Sequence, residues 1–241
     1  MLHTQALSKS FGAHRALVNL DLQIMPGEIF CMLGANGAGK TTTIKLLLGF
    51  LTPTSGGAFV DGIDVALDPL SARRRLLYLP EQVALYGELT GLENLDYFAG
   101  LAGVADRNPL RLRGLLEQAG VPASAIDRRA IGYSKGMRQK VAIALSIARE
   151  ARALLLDEPT SGLDPQASAD FHRLLLRQRD AGAAVLMATH DLFRAREVAT
   201  TVGVMRDGRL LRTFSAGDVT ARELEQLYLE EMALVTNVLT K

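Results

Sequence analysis

A chain of 241 residues with a single cysteine, Cys31, has no internal disulfide. That excludes the stapled architecture of small secreted domains and suits a reducing cytoplasm. Cys31 lies in the apolar run before residue 34, where it is expected to pack as a small hydrophobe rather than to react. Long hydrophobic stretches are missing too: nothing approaches the roughly 20 apolar residues that cross a bilayer, and the first residues lack the pattern of a secretory signal. The expectation is a soluble chain. Excess charge is also absent, since 27 Lys and Arg stand against 26 Asp and Glu, scattered along the chain, for a formal net charge of +1. A protein that grips a phosphate backbone carries a basic footprint, so no nucleic acid is expected as a partner. Repeats, linkers and low-complexity tracts are lacking, which points to one compact unit. The 48% hydrophobic content is enough for one substantial core and leaves room for apolar surface that a partner would cover.

The informative content is concentrated in a few segments. Residues Gly34 to Thr41 read GANGAGKT, the phosphate-loop spacing of two glycines followed by lysine and a hydroxyl residue. Gly34, Asn36, Gly37, Ala38 and Gly39 would turn backbone N–H groups inward around phosphate oxygens, and a helix running on through Thr42 would aim its positive end at them. In this chemistry Lys40 reaches the β- and γ-phosphates and Thr41 ligates Mg²⁺. The context fits, because Glu28 to Leu33 reads as a buried strand and Thr42 to Phe50 as a helix, with Gly49 near its end.

The surrounding pattern is α/β. Ala16, Val18, Leu20, Leu22 and Ile24 alternate with polar residues, as in a half-buried strand after which Pro26-Gly27 turns the chain. Asp61-Gly62 and Asp207-Gly208 each sit between short apolar runs and predict hairpins. Thr90 with Glu93, and Asn108 with Pro109, predict helix starts in a segment from about 90 to 150 that is helical throughout. Ala153 to Leu156 and Ala184 to Thr189 are apolar runs around a helix begun by Asp164-Pro165, the alternation of a parallel sheet. Thr220 and Glu223 cap a final amphipathic helix carrying Leu224, Leu227, Tyr228 and Met232.

At the end of the run Ala153 to Leu156 stand Asp157 and Glu158. A carboxylate at a strand's carboxyl end suits Mg²⁺, here Asp157, acting through water. Glu158, one residue on and free of the metal, is the candidate to orient or deprotonate a water attacking the γ-phosphate.

GANGAGKT, YSKGMRQK (residues 133–140) and LLLDEPTSGLD occur together, and on these three motifs the whole chain resembles the ATP-binding-cassette ATPases. The resemblance implies a P-loop NTPase (RecA-like) core with an antiparallel β subdomain (about 1–89 and 151–241) and an inserted α-helical subdomain (about 90–150), forming one domain over 1–241. It also implies that Ser134 and Gly136, at a helix start, cover the γ-phosphate of ATP bound by a second subunit. Against the family's usual LSGGQ the chain has Tyr133, Lys135 and Met137; tyrosine and methionine there resemble the exporter branch with separately encoded membrane subunits.

Further roles come with the resemblance. Gln82 would touch Mg²⁺ and the attacking water, Val83 to Leu89 would contact the membrane subunit, Asp164 would bridge subunits, His190 would meet the γ-phosphate and Phe11 would stack on adenine. The implied protein is the ATPase subunit of an exporter, a homodimer at the cytoplasmic face of the membrane bound to an integral membrane permease, with ATP and Mg²⁺ as cofactors. The alternative from another class is a soluble cassette ATPase acting on ribosomes or DNA, whose members usually carry two cassettes or long coiled coils.

Overall fold

The computed structural model describes residues 1–233. Strands β1 (Leu2–Phe11) and β2 (His14–Ile24) pair antiparallel. The alternation expected along β2 holds for Leu20, Leu22 and Ile24, which are buried, with Asp21 and Gln23 exposed between them. Before Leu20 it fails: Ala16 and Leu17 are both buried and Val18 only half-buried. The cause is an irregularity at Asn19, whose φ of 48° is left-handed and where the register against β1 shifts. Such a bulge turns the next side chain to the other face. Ser8 secures it, its hydroxyl accepting from the Asn19 backbone N–H at 2.9 Å.

Strand β3 (Ile29–Leu33) is buried along its whole length and leads into helix α1 (Lys40–Leu47). The helix starts two residues before the expected Thr42 because Gly39, in a left-handed conformation with φ of 106°, already caps it. Strands β4 (Ser55–Val60) and β5 (Ile63–Asp64) form the Asp61-Gly62 hairpin, and with β1 and β2 they make a four-stranded sheet in the order β2-β1-β4-β5. Helix α2 (Pro69–Arg74) follows, its first turn capped by Asp68, and the chain then enters β6 (Leu76–Leu79).

Residues 90–150 are helical: α3 (Gly91–Leu101), α4 (Pro109–Gln118), α5 (Ala123–Ile126) and α6 (Lys135–Ala148). Both halves of the Thr90–Glu93 capping box form, the Glu93 N–H donating to Thr90 Oγ1 at 3.1 Å and the Thr90 N–H to Glu93 Oε2 at 2.8 Å. Such a cap is worth about 1 kcal/mol. On α6 the buried arc includes Gln139, Val141, Ile143, Ala144, Ser146 and Ala148, whereas Met137 and Leu145 are half-buried. The arc is wide because α3, α4, α7 and β6 all pack against this helix.

The rest alternates: β7 (Ala153–Asp157), α7 (Pro165–Asp180), β8 (Ala184–Thr189), α8 (Leu192–Val198), β9 (Thr201–Arg206), β10 (Arg209–Ser215) and α9 (Ala221–Ala233). These strands join β3 and β6 in a six-stranded sheet ordered β10-β9-β3-β8-β7-β6, parallel except for β10. Buried on both faces, β3, β7 and β8 are continuously apolar up to their last residues, as central parallel strands are. Ile29, Cys31 and Leu33 join the cluster beneath the helical segment and α7, while Phe30 and Met32 join the one shared with the smaller sheet. Complete burial pushes the Cys31 thiol far above its ordinary range, so the residue packs as a small hydrophobe.

Candidate functional site

The loop from Gly34 to Thr41 stands at the carboxyl end of β3, the side of an open parallel sheet where ligands bind. Its tight path needs glycine at two places. A Cβ on Gly34 would come within 2.4 Å of the Met205 carbonyl oxygen, and one on Gly39 within 2.8 Å of the Ala16 carbonyl oxygen. The loop walls a cavity of about 350 Å³ lined by Ala35 through Thr42 together with Phe11, His14, Ala16, Glu81, Asp157 and Glu158.

Inside it, Lys40 is buried. Its ammonium donates to the carbonyls of Gly34 at 2.5 Å and Ala35 at 3.2 Å and lies 3.8 Å from Glu158 Oε1. Burial pulls its pKa below the ordinary lysine value, while the Glu158 and Asp157 carboxylates oppose the shift. Thr41 Oγ1 donates to Asp157 Oδ2 at 3.0 Å. Burial raises the Asp157 pKa, against the Thr41 hydrogen bond and the charge of Lys40. Glu158 takes a left-handed φ of 46°, rare for a residue with a side chain and found where a strained backbone aims a functional group. Its Oε2 is 3.0 Å from His190 Nδ1, and its Oε1 is buried without a hydrogen-bond partner. His190 itself is largely exposed at the end of β8.

Phe11 lines the cavity with its ring half exposed and Lys9 Nζ 5.1 Å from its centroid. Gln82 does not line this cavity. The chain turns at Pro80 after β6 and sends Glu81 to the cavity, where its Oε1 accepts from Ser161 Oγ at 3.3 Å, while Gln82 faces a second, apolar cavity of about 290 Å³. Glu81, His14 and Ala16 line the cavity although sequence reasoning assigned them no place at the site. His14 could have been found, because it pairs with Phe11 directly across the tight turn joining β1 to β2.

Ser134, Gly136 and Asp164 lie away from the cavity. Ser134 Oγ caps α6 by accepting from the Met137 N–H at 3.3 Å, and Asp164 caps α7 by accepting from the Ala167 N–H at 2.8 Å. The two caps are tied together: Lys135 Nζ donates to the Ser161 carbonyl at 2.5 Å, and the buried Gln139 side chain donates to the Pro159 carbonyl. Among the described residues no three of His, Cys, Asp and Glu cluster in a way that would hold a metal ion. Thr41 and Asp157 supply only two hard oxygens, a donor set that fits Mg²⁺, which keeps waters and takes phosphate oxygens for the remainder.

The family model described as ABC transporter matches residues 17–161, more than half of the chain. The chain belongs to the ABC transporter family. As the ATP-binding domain of that family it is similar to the probable multidrug ABC transporter ATP-binding protein YbhF of Escherichia coli (strain K12), 33% identical over 226 residues. That match takes in 92% of this chain and 38% of YbhF, so the chain spans well under half of that relative. The daunorubicin/doxorubicin resistance ATP-binding protein DrrA of Streptomyces peucetius is 36% identical over 90% of this chain and 66% of its own length. Among solved structures, an ATP-binding subunit of an ABC transporter matches with a TM-score of 0.83 at 29% identity, covering 95% of this chain and 98% of that one. A dimeric, post-hydrolysis ATP-binding cassette bound to ADP and Pi matches with a TM-score of 0.78 at 26% identity, over 90% of this chain and 99% of its own. The fold is accordingly the P-loop NTPase fold of the ABC ATPases.

Proposed function

We propose that this chain is the ATP-binding and ATP-hydrolysing subunit of an exporter, coupled to a separate membrane permease. The observation that carries the reading is the meeting of Lys40, Thr41, Asp157 and Glu158 around one phosphate-loop cavity, with His190, outside its lining, paired to Glu158. Phe11 offers a ring face to the base, and the loop N–H groups with Lys40 take the phosphates. Mg²⁺, held by Thr41 and Asp157, would neutralise charge on the β- and γ-phosphate oxygens. Glu158 accepts the proton of the attacking water through Oε1, which has no hydrogen-bond partner and lies 3.8 Å from Lys40 Nζ, while His190 Nδ1 fixes Oε2 and so orients the carboxylate. Gln82 would complete this set after a rearrangement of the loop that follows β6.

Ser134, Gly136 and Asp164 have no role at the cavity of their own subunit. In a head-to-tail pair with two-fold symmetry, the amino end of α6 would face the γ-phosphate held by the other copy. ATP then stabilises the closed homodimer, and hydrolysis lets it part. The apolar cavity lined by Leu77, Leu85, Leu95, Phe98, Val141 and Leu145 would receive the permease at the cytoplasmic face of the membrane. No helix of the described residues is long and apolar enough to span a membrane. The names of YbhF and DrrA favour export, drugs among the candidate cargoes. Phosphate release from ATP with Mg²⁺, measured for the chain alone and with the integral membrane protein that copurifies with it, tests the reading. Turnover should rise when the membrane subunit is present; ATP binding without phosphate release in either preparation would overturn it.

A further inference from the structure

Five arginines lie together beside the apolar cavity, at the amino-terminal ends of β6 and β7 and the carboxyl end of α6. Arg73 and Arg74 close α2 and Arg75 follows them; Arg149 Nη2 donates to the Arg73 carbonyl at 3.0 Å, and the Arg152 N–H donates to the Arg75 carbonyl at 2.7 Å. None of the five makes an ion pair among the described residues. Two carboxylates that precede the α2 arginines, Asp64 and Asp68, accept from the backbone N–H groups of Ala66 and Ser71. Three large apolar side chains share the patch. Phe50 is 57% exposed, with the Arg73 guanidinium 5.8 Å from its ring centroid, and Leu67 and Leu70, before and on α2, are 85% and 65% exposed. The patch adjoins the apolar cavity, since Leu77 of β6 and Leu145 of α6 line that cavity and the Arg149 N–H donates to the Leu145 carbonyl.

From this combination we infer that the patch formed by Phe50, Leu67, Leu70 and the five arginines binds the surface of an anionic lipid bilayer directly. Arg149 is half-buried and holds the Arg73 and Arg74 carbonyls, and Asp68 feels the charge of Arg74, but Arg74, Arg75 and Arg152 are exposed and outnumber that carboxylate; such guanidinium groups attract lipid phosphates, each for about 1 kcal/mol near a charged leaflet. The exposed leucines and phenylalanine sink to the level where headgroups meet acyl chains, as the apolar face of an interfacial helix does. An acidic protein would satisfy the arginines but has no comparable use for Leu67 and Leu70 at the outer edge. The inference goes beyond the proposed function and rests on this patch alone.

Flotation of the purified chain with vesicles tests it, comparing phosphatidylcholine alone with phosphatidylcholine plus phosphatidylglycerol. The chain should float with the anionic vesicles only, and raised salt should release it as the charges are screened. The triple variant Arg74→Gln, Arg75→Gln, Arg152→Gln should lower the partition coefficient about a hundredfold, three charges at the increment above. Leu67→Ser with Leu70→Ser should weaken binding while preserving its salt dependence. ATP binding, measured on the same preparations, should be unchanged in both variants, which separates loss of the lipid site from any failure of the ATPase reading. Equal flotation of the triple variant and the parent, or no flotation of the parent with anionic vesicles, would overturn the inference; so would capture of an acidic protein by a chain that ignores lipid.

Discussion

Glu158 Oε2 lies 3.0 Å from His190 Nδ1, although the two residues are separated by a helix and a strand. The pairing leaves Oε1, buried without a hydrogen bond and 3.8 Å from Lys40 Nζ, as the carboxylate oxygen that does not meet His190. Replacing Glu158 by Gln keeps the shape and removes the basic oxygen. The variant should bind ATP as the parent does, hydrolyse it roughly 10²–10⁴-fold more slowly, and accumulate as an ATP-locked dimer in size-exclusion chromatography. Hydrolysis at the parental rate would remove Glu158 from the role of base. Replacing His190 by Ala should lower kcat while leaving ATP affinity nearly intact.

The Thr41–Asp157 contact of 3.0 Å marks the edge of the cavity where the proposed Mg²⁺ would bind. Asp157→Asn keeps a hydrogen-bond acceptor and loses the charge. The Mg²⁺ concentration for half-maximal hydrolysis should rise by about 10–100-fold, the range seen when a group that supports a metal is altered. Titration of Mg²⁺ at saturating ATP reads this directly, and an unchanged midpoint would place the ion elsewhere.

On α7, His172 is buried with Nδ1 3.3 Å from Glu197 Oε2 of α8 and Nε2 without a partner. Burial lowers its pKa below the ordinary value; Glu197 and Asp191 oppose the shift and Arg194 adds to it. The unfolded chain therefore takes up this proton at a higher pH than the folded chain does. The stability this gives is complete above about pH 6.5 and is lost as pH falls through the lower folded pKa. Thermal denaturation between pH 7 and pH 5 should show Tm falling with acid, and His172→Gln should flatten that slope. Parallel slopes for the two proteins would exclude His172 as the source.

Lys135 departs from the glycine usual at its position and donates to the Ser161 carbonyl at 2.5 Å. A cation at the first residue of α6 opposes the helix dipole by about 0.3–1 kcal/mol, and the hydrogen bond offsets this. Lys135→Met should loosen the loop Pro159–Asp164 from α6, lowering kcat several-fold with little change in KM for ATP. Lys135→Arg should restore much of the rate. Loss of KM and kcat together in both variants would instead indicate a general defect of folding.

What the sequence disclosed and what it hid divide along a physical line. GANGAGKT, the strand before it, Asp157 and Glu158 were legible because each depends on local backbone geometry: a turn of glycines, an apolar strand, a strand end. Caps were equally local, so Thr90, Asn108, Asp164 and Thr220 all marked helix starts. Asp68-Pro69 carries the same signal as Asp164-Pro165, and α2 was missed because it is a single short helix between strands. The bulge at Asn19 was not legible, since it is fixed by Ser8 from another strand. Glu81 was passed over for Gln82 because which of two adjacent polar residues reaches the cavity depends on the turn at Pro80 and on Ser161, eighty positions away. Contacts made at long range leave no periodicity to read.

Strand β3 carries the phosphate loop, yet its two neighbours in the sheet are β8 and β9, and the Gly34 N–H donates to the carbonyl of Thr189. During synthesis at about 5–20 residues per second, the loop therefore leaves the ribosome on the order of ten seconds before the strands that flank it. Through that interval β3 exposes two apolar faces and two unpaired edges, the condition under which nascent chains need chaperones. A chain truncated after the helical segment would display GANGAGKT with no floor beneath it.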